Sequence, residues 1–117
     1  MITNTAIETY REIITKLEQG ATAEELLNAY GKDAVDHASW LRDLKRELAK
    51  VDAKAEYTRK YREFLRFCLL CHALRYGFTA DVLNAFHPEH HKLIEEAEQS
   101  VMLSRKYGKH TNSGDND

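Results

Sequence analysis

The apolar residues near the start of the chain recur at spacings of three and four, which is the period of an amphipathic helix. This spacing predicts a first helix from about Thr5 to Gln19, ended by Gly20, which can adopt the left-handed backbone of a helix stop. One side of this helix should therefore face a core. Its apolar stripe consists of Ile7, Tyr10, Ile13, Ile14 and Leu17.

A short second helix is predicted to run from Ala23 to Tyr30. Thr22 and Glu25 stand three residues apart at its start, the arrangement of a capping box, in which the two side chains satisfy amide groups of the first turn. Gly31 follows the last apolar residue and supplies the stop.

A third helix should start at Asp33, whose carboxylate can cap it. Its apolar stripe consists of Leu41, Leu44, Leu48, Val51 and Ala55. The stripe then changes phase and restarts as Tyr57, Tyr61, Phe64, Cys68 and Cys71. This change of phase predicts a kink or break near residues 51–56, although no glycine or proline marks it.

Residues 64–74 are apolar almost all round, which is typical of a helix at the centre of a bundle. The run is interrupted by Arg66 and His72 and is far shorter than the ~20 residues that a membrane span needs. We therefore expect a buried core helix. The residues expected to be largely buried are Phe64, Phe67, Cys68, Leu70, Cys71 and Leu74.

The last part of the chain predicts two more helices and a tail. Thr79 can cap a short fifth helix that ends at Phe86, and Pro88 suits the first position of a sixth helix. The sixth helix should end near Tyr107 and Gly108. Residues 109–117 contain no apolar side chain that could be buried in a core, so we expect them to form a disordered tail.

A short pattern occurs twice in the chain. Residues 17–23 read Leu-x-x-Gly-x-Thr-Ala, and residues 74–80 repeat this pattern. Residues 27–30 read Leu-Asn-Ala-Tyr, and residues 83–86 have the similar sequence Leu-Asn-Ala-Phe. An internal repeat usually marks one supersecondary unit that is built twice.

Composition agrees with a single helical domain. The chain has 117 residues, of which 43% are hydrophobic and 31% charged, and it contains only one proline and five glycines. These values are ordinary for a globular protein and permit long helices. We therefore predict an all-α fold, a compact bundle of about six helices. Its two related helix, short helix, helix halves would span residues 5–50 and 61–107 within one domain, residues 1–108.

The net charge of −2 is unevenly distributed. Residues 42–66 hold nine Lys and Arg against five Asp and Glu, whereas residues 1–41 hold three against seven. The basic middle of the chain favours a partner with an acidic surface. The first residues lack a basic segment followed by an apolar run, so we expect no signal peptide and a cytoplasmic protein.

The repeated order of helix, Gly-x-Thr-Ala, short helix, tight turn and longer helix resembles the helix-turn-helix core of small DNA-binding proteins. In that family the helix after the tight turn enters the major groove, and flanking cations contact phosphates. The resemblance implies that helices starting with residues 33–37 and 88–92 would take this role. It supports one alternative function, a helix-turn-helix-like DNA-binding transcriptional regulator.

The basic stretch also carries aromatic side chains. Its cations could follow a nucleic-acid backbone while Tyr57 and Tyr61 stack on bases. However, acidic residues stand three or four positions from many of the cations, for example Asp43 and Arg46, which favours a solvated helix face with internal ion pairs. Trp, Tyr and Arg often dominate protein interfaces, so the predicted partner-binding residues are Trp40, Arg42, Arg46, Tyr57 and Tyr61. Trp40 and the two tyrosines could instead belong to the core.

The two cysteines suit two cofactor hypotheses. Residues 68–72 match C-x-x-C-H, the attachment sequence of c-type haem, but haem attachment belongs to exported proteins. A tetrahedral zinc site could form from Cys68, Cys71, His87 and either His90 or His91. Zinc fingers take their cysteines from a turn, whereas these lie on an apolar helix. We therefore expect no cofactor and no metal, but a reduced cysteine pair and a surface histidine cluster.

The sequence contains no phosphate-binding glycine loop, nucleophile elbow or HExxH pair, so we do not expect an enzyme. It favours a macromolecular binding module that acts on a protein partner. Adaptors, assembly subunits and inhibitors of the kind carried by phages and mobile elements are small proteins of this class. We expect no membrane partner, while nucleic acid remains the rival ligand. The DNA-binding regulator would act as a dimer, and the protein-binding module could also form a homodimer.

Overall fold

The computed structural model describes residues 4–115, with side chains from residue 5 to residue 107. Within residues 4–115 the protein has six α-helices, one 3₁₀ turn and no strand, so the predicted all-α class is confirmed. The α-helices are α1 (Asn4–Glu18), α2 (Ala23–Tyr30), α3 (Lys32–Ala53), α4 (Arg59–Tyr76), α5 (Ala80–Phe86) and α6 (His91–Asp115), and the 3₁₀ turn spans Pro88–His90.

The chain divides into two compact units, Met1–Ala53 and Lys54–Asp117. The division lies where the apolar stripe changes phase, because α3 ends at Ala53 and α4 begins at Arg59. The predicted break near residues 51–56 is therefore confirmed. A single domain over residues 1–108 stays a prediction.

In the first unit, α1 and α2 both pack against α3. Three hydrogen-bonding residues join α1 to α2. The Tyr30 hydroxyl donates to Glu12 Oε1 at 2.6 Å and accepts from Lys16 Nζ at 2.8 Å. The bond from Tyr30 is the main cause that holds the pKa of the exposed Glu12 carboxyl below its ordinary value. The buried core of the unit is formed by Ile13, Leu26, Val35 and Ala38.

Thr22 caps α2 and Gly31 ends it, as predicted, but the Glu25 carboxylate accepts from the Thr22 hydroxyl instead of from an amide. The Thr22 hydroxyl oxygen accepts a hydrogen bond from the Glu25 amide at 3.2 Å and lies 3.0 Å from Glu25 Oε1. Gly31 ends the helix with φ of +92°, a value that suits glycine.

Asp33 does not cap α3, contrary to the prediction. The carbonyl of Gly31 already accepts the first helical hydrogen bond, from the Val35 amide at 3.2 Å. Gly31 therefore both ends α2 and begins α3, and Asp33 falls within the first turn. Its carboxylate still lies at the positive end of the helix dipole, where it is favourable. The buried stripe of α3 consists of Val35, Ala38, Leu41, Leu44, Leu48 and Val51.

In the second unit, α6 packs against α4 and α5. The start of α6 lies beside the first half of α4, because Lys92 and Leu93 line one cavity with Arg66. Further along, Val101 lines a second cavity with Leu74, so the two helices run in the same sense. Thr79 caps α5 as predicted, accepting from the Val82 amide. The buried residues include Leu70, Leu74, Phe78, Val82, Leu83, Ile94, Ala97 and Val101.

The first half of α4 is more exposed than the sequence predicted. Leu70, Cys71 and Leu74 are buried, but Phe67 and Cys68 are only half-buried and Phe64 is 58% exposed. The physical reason lies in the flanking charges. Arg59, Lys60, Arg62, Glu63 and Arg66 surround the first half of α4 and keep part of its surface in solvent, whereas residues 67–71 carry no charge.

The last helix also extends beyond its predicted end near Tyr107 and Gly108. It continues to Asp115, so residues 109–115 are helical, and residues 116–117 lie outside the described part of the chain. A glycine inside a helix costs only about 1 kcal/mol relative to alanine, which is too little to end a helix without a competing structure.

The sequence repeat is visible in the turns. Gly20 and Gly77 both have positive φ, and the next amides bond back to Lys16 and Ala73 with the same 5-residue span. Similarity of the two complete halves is not shown. In the first unit the His37 ring, near the start of α3, stacks on Tyr10 of α1, and in the second unit α6 runs beside α4 in the same sense.

Leu70 should be far more important for stability than Phe64. Leu70→Ala would leave a cavity in the core and should lower the free energy of unfolding by about 2 to 5 kcal/mol. Phe64→Ala, a change on the same helix at an exposed position, should lower it by less than about 1 kcal/mol. Urea unfolding monitored by circular dichroism measures both. Equal losses of stability would show that the second unit does not depend on this buried stripe.

Candidate interaction surface

The predicted partner-binding residues of α3 differ in exposure. Arg46 is exposed, whereas Trp40 and Arg42 are half-buried. The Arg42 guanidinium lies 3.6 Å from the Asp43 carboxylate, with 23% of its side chain exposed. Arg46 is therefore accessible to a partner, whereas the Arg42 guanidinium already lies beside a carboxylate of its own helix.

The two predicted tyrosines belong to the second unit. Tyr57 lies just before α4 and Tyr61 lies in its first turn, so they are in a different unit from Trp40, Arg42 and Arg46. The Tyr57 and Tyr61 rings pack edge to face, with centroids 4.8 Å apart and planes at 85°. The geometry supports one contiguous aromatic pair.

Local hydrogen bonds hold the tyrosine pair in place. The Tyr57 amide donates to the Lys54 carbonyl at 3.2 Å and closes a turn before the helix. The Thr58 hydroxyl accepts from the Tyr61 amide at 3.1 Å and caps α4. The Arg62 guanidinium donates to the same Lys54 carbonyl at 2.6 Å. These hydrogen bonds hold residues 54–58 against the first turn of α4.

Phe64 extends the tyrosine pair and was missed as a contact residue. Lys60, Tyr61 and Phe64 stand at spacings of three and four on one side of α4, and Tyr57 joins them by packing on the Tyr61 ring. Tyr61 is 45% exposed and Phe64 58% exposed. We call these four residues the aromatic face. The sequence signal is present, since Phe64 continues the stripe of Tyr57 and Tyr61, but the prediction places Phe64 in the core and only the two tyrosines at the surface.

Farther along α4 the same stripe becomes buried. Cys68 is half-buried and Cys71 is buried among the core residues. The aromatic face is therefore the uncovered end of a stripe whose other end packs in the core. An apolar surface of this kind is typical of a site that a partner covers.

The zinc hypothesis receives no support from the geometry. Among the described side chains, no group of three or more His, Cys, Asp or Glu residues is placed to hold a metal ion. His87 is buried and His90 half-buried, with ring centroids 6.4 Å apart. Glu89 Oε1 lies 3.6 Å from His87 Nδ1 and 3.8 Å from His90 Nε2, so a carboxylate, rather than a thiol, faces these rings.

A shallow cavity of about 320 Å³ lies between α4 and the start of α6. Its lining mixes both signs of charge, with carboxylates beside basic side chains. Such a balanced surface is not selective for one kind of charged ligand. The lining residues are Glu63, Arg66, Glu89, His90, Lys92, Leu93 and Glu96.

The helix-turn-helix resemblance assigns α3 and the start of α6 to the major groove. Side chains in the first turns of these helices contact other residues of their own unit. Lys32 Nζ binds Asp36 Oδ2 at 2.6 Å, and the His37 ring stacks on Tyr10. In the second unit, His91 Nδ1 lies 3.1 Å from Asn84 Oδ1. These contacts and the neighbouring carboxylates do not favour phosphate or base contacts at these positions.

No known protein family, curated protein or solved structure matches the chain. In the part of the chain that the structure describes, no helix combines the length and apolar character that crossing a membrane requires.

The two cysteines should react with thiol reagents at different rates. Burial is the largest effect on the Cys71 thiol and raises its pKa. The positive charge of Arg75 lowers this pKa by less than burial raises it, and Cys68 adds a smaller rise. Cys71 should therefore be alkylated roughly tenfold more slowly than the half-buried Cys68, because less of it is thiolate and accessible. Mass spectrometry of the native protein and of Cys68→Ser and Cys71→Ser measures the two rates. Faster modification of Cys71 would contradict the burial of this helix face.

Proposed function

We propose that this protein is a non-enzymatic binding module whose partner is another protein with an acidic surface. The observation that carries the proposal is the aromatic face of α4, with Tyr61 and Phe64 exposed beside a lysine. It would act as an adaptor, an assembly subunit or an inhibitor of the type that phages and mobile elements carry.

The chemistry of the aromatic face suits a protein partner. Tyrosine and phenylalanine rings supply large apolar contact areas, and tyrosine also has a polar end that remains satisfied at the edge of an interface. The rings already touch and their segment is tied to α4, so little side-chain freedom is lost when a partner binds. This preorganisation favours a specific contact.

The charges beside the aromatic face indicate the sign of the partner. Lys60 lies within the face, and the Arg59 side chain is 87% exposed, at 3.7 Å from Glu63. Exposed ion pairs of this kind are weak, so Arg59 can turn to a carboxylate of a partner.

The proposal includes a reducing compartment such as the cytoplasm. Cys68 and Cys71 are free thiols, and thiols of this type persist where glutathione and thioredoxin keep them reduced. A DNA-binding regulator is the rival function. The side-chain contacts in the first turns of α3 and α6 do not favour this function.

Tagged protein should capture a protein partner from its native extract with and without nuclease. Phe64→Ala and Lys60→Glu should each lower the captured amount at least about tenfold, equivalent to about 1.4 kcal/mol of binding free energy. Quantitative mass spectrometry of the captured material measures the change. Circular dichroism should show unaltered helix content in both variants.

Two matched variants control for hydrophobicity and charge. Leu27→Ala removes an apolar side chain that is 40% exposed on α2, and Lys45→Glu reverses an exposed charge on α3. Both should retain capture. Capture that disappears with nuclease, together with salt-dependent binding of duplex DNA, would replace the proposal by the regulator function. Equal capture by all four variants would exclude the aromatic face.

A further inference from the structure

The outer side of α6 carries a second exposed surface. Ile94, Ala97 and Val101 are buried on the inner side of the helix. Met102 is 61% exposed and stands at the rim of the cavity that Leu74 and Val101 line, and Leu103 is 54% exposed. Two adjacent large apolar side chains on a solvent-facing helix are a feature of contact surfaces, because leaving them in water is unfavourable.

The charges on this side of α6 are ordered along the helix. Glu95, Gln99, Met102 and Lys106 stand at successive spacings of four, three and four, so they form one line on the helix surface. Leu103 lies beside the middle of the line. We call these five residues the outer stripe. It is acidic at one end, apolar in the middle and basic at the other end.

We propose that the outer stripe pairs with the outer stripe of a second copy of this chain, with the two helices antiparallel. In this arrangement Glu95 of each copy meets Lys106 of the other, and the apolar residues meet near the two-fold axis. An isologous contact of this kind uses the same patch on both copies. A parallel pairing would instead place like charges together.

The stripe favours a second copy over a partner of uniform charge. An acidic partner would be repelled at Glu95, and a basic partner would be repelled at Lys106. Neither charged group is deeply buried in its own unit. Glu95 Oε2 is 4.0 Å from His91 Nε2 with 63% of the side chain exposed, and Lys106 Nζ lies 5.6 Å from the centre of the Tyr107 ring.

The size of the outer stripe predicts a weak dimer. Residues 95–106, which contain the outer stripe, span about 18 Å at a rise of 1.5 Å per residue. One helix pair of this length buries less surface than a standard interface of about 1,600 Å². The dimer should therefore form reversibly, at concentrations of about 10 to 500 μM, and should weaken as salt screens the charge pairs. It does not depend on the aromatic face.

A charge-exchange experiment tests the pairing. Sedimentation velocity of the full chain up to about 500 μM should show a dimer that dissociates on dilution. Glu95→Lys alone and Lys106→Glu alone should both be monomeric, because each places like charges together at both ends of the pair. An equimolar mixture of the two variants should dimerise again, since all the contacts become attractive. The double variant with both changes should also dimerise.

Controls separate this inference from the proposed function. Glu18→Lys makes the same change of charge at an exposed position on α1 and should leave the dimer intact. Phe64→Ala should leave it intact as well while capture of the protein partner falls. A wild-type chain that stays monomeric up to 500 μM, or a mixture of single variants that stays monomeric, would overturn the pairing. Dimers that persist in both single variants would place the contact elsewhere.

Discussion

The second unit depends on the burial of one stripe of α4 beside α6. Leu70 and Leu74 are buried together with Ile94, Ala97 and Val101, and no charged residue interrupts α4 between residues 67 and 71. Apolar burial is the main favourable contribution to folding, so this packing determines which faces of both helices remain available. The aromatic face and the outer stripe are the surfaces that it leaves uncovered.

The two surfaces differ in the type of interaction they offer. The aromatic face combines rings with the single positive charge of Lys60, and the proposed acidic protein partner depends on this combination. The outer stripe carries both charges in order, which makes its own antiparallel copy complementary. The proposed protein contact and the proposed dimer use residues of different helices, α4 and α6.

Much of the backbone could be predicted from the sequence because helix ends have local causes. Thr22, Gly31 and Thr79 act within a few residues of their own positions, and their roles agree with the structure. The extent of burial could not be predicted in the same way. Periodicity identified the stripe that contains Phe64 and Cys71, but not how far along α4 the stripe is covered, which depends on elements distant in sequence.

The errors at helix ends have a similar physical origin. The Asp33 side chain could cap a helix, but α3 begins two residues earlier, because the Gly31 carbonyl accepts its first helical hydrogen bond. Residue type alone does not show which of two suitable residues will begin a helix. Gly108 has the chemistry of a stop, but a helix stop also needs a favourable structure to follow it. The sequence predicts part of the candidate site. Tyr57 and Tyr61 are predicted as contact residues and their rings touch, whereas Phe64 is predicted to lie in the core but is exposed.

Gly31 also has a consequence for how this chain can evolve. Its φ of +92° and ψ of +161° lie in a region that is essentially restricted to glycine, and the same residue ends one helix and starts the next. A side chain at this position would strain the backbone even though the space around it is open. Selection should therefore retain glycine here in descendants of this sequence while the exposed residues of α2 diverge freely.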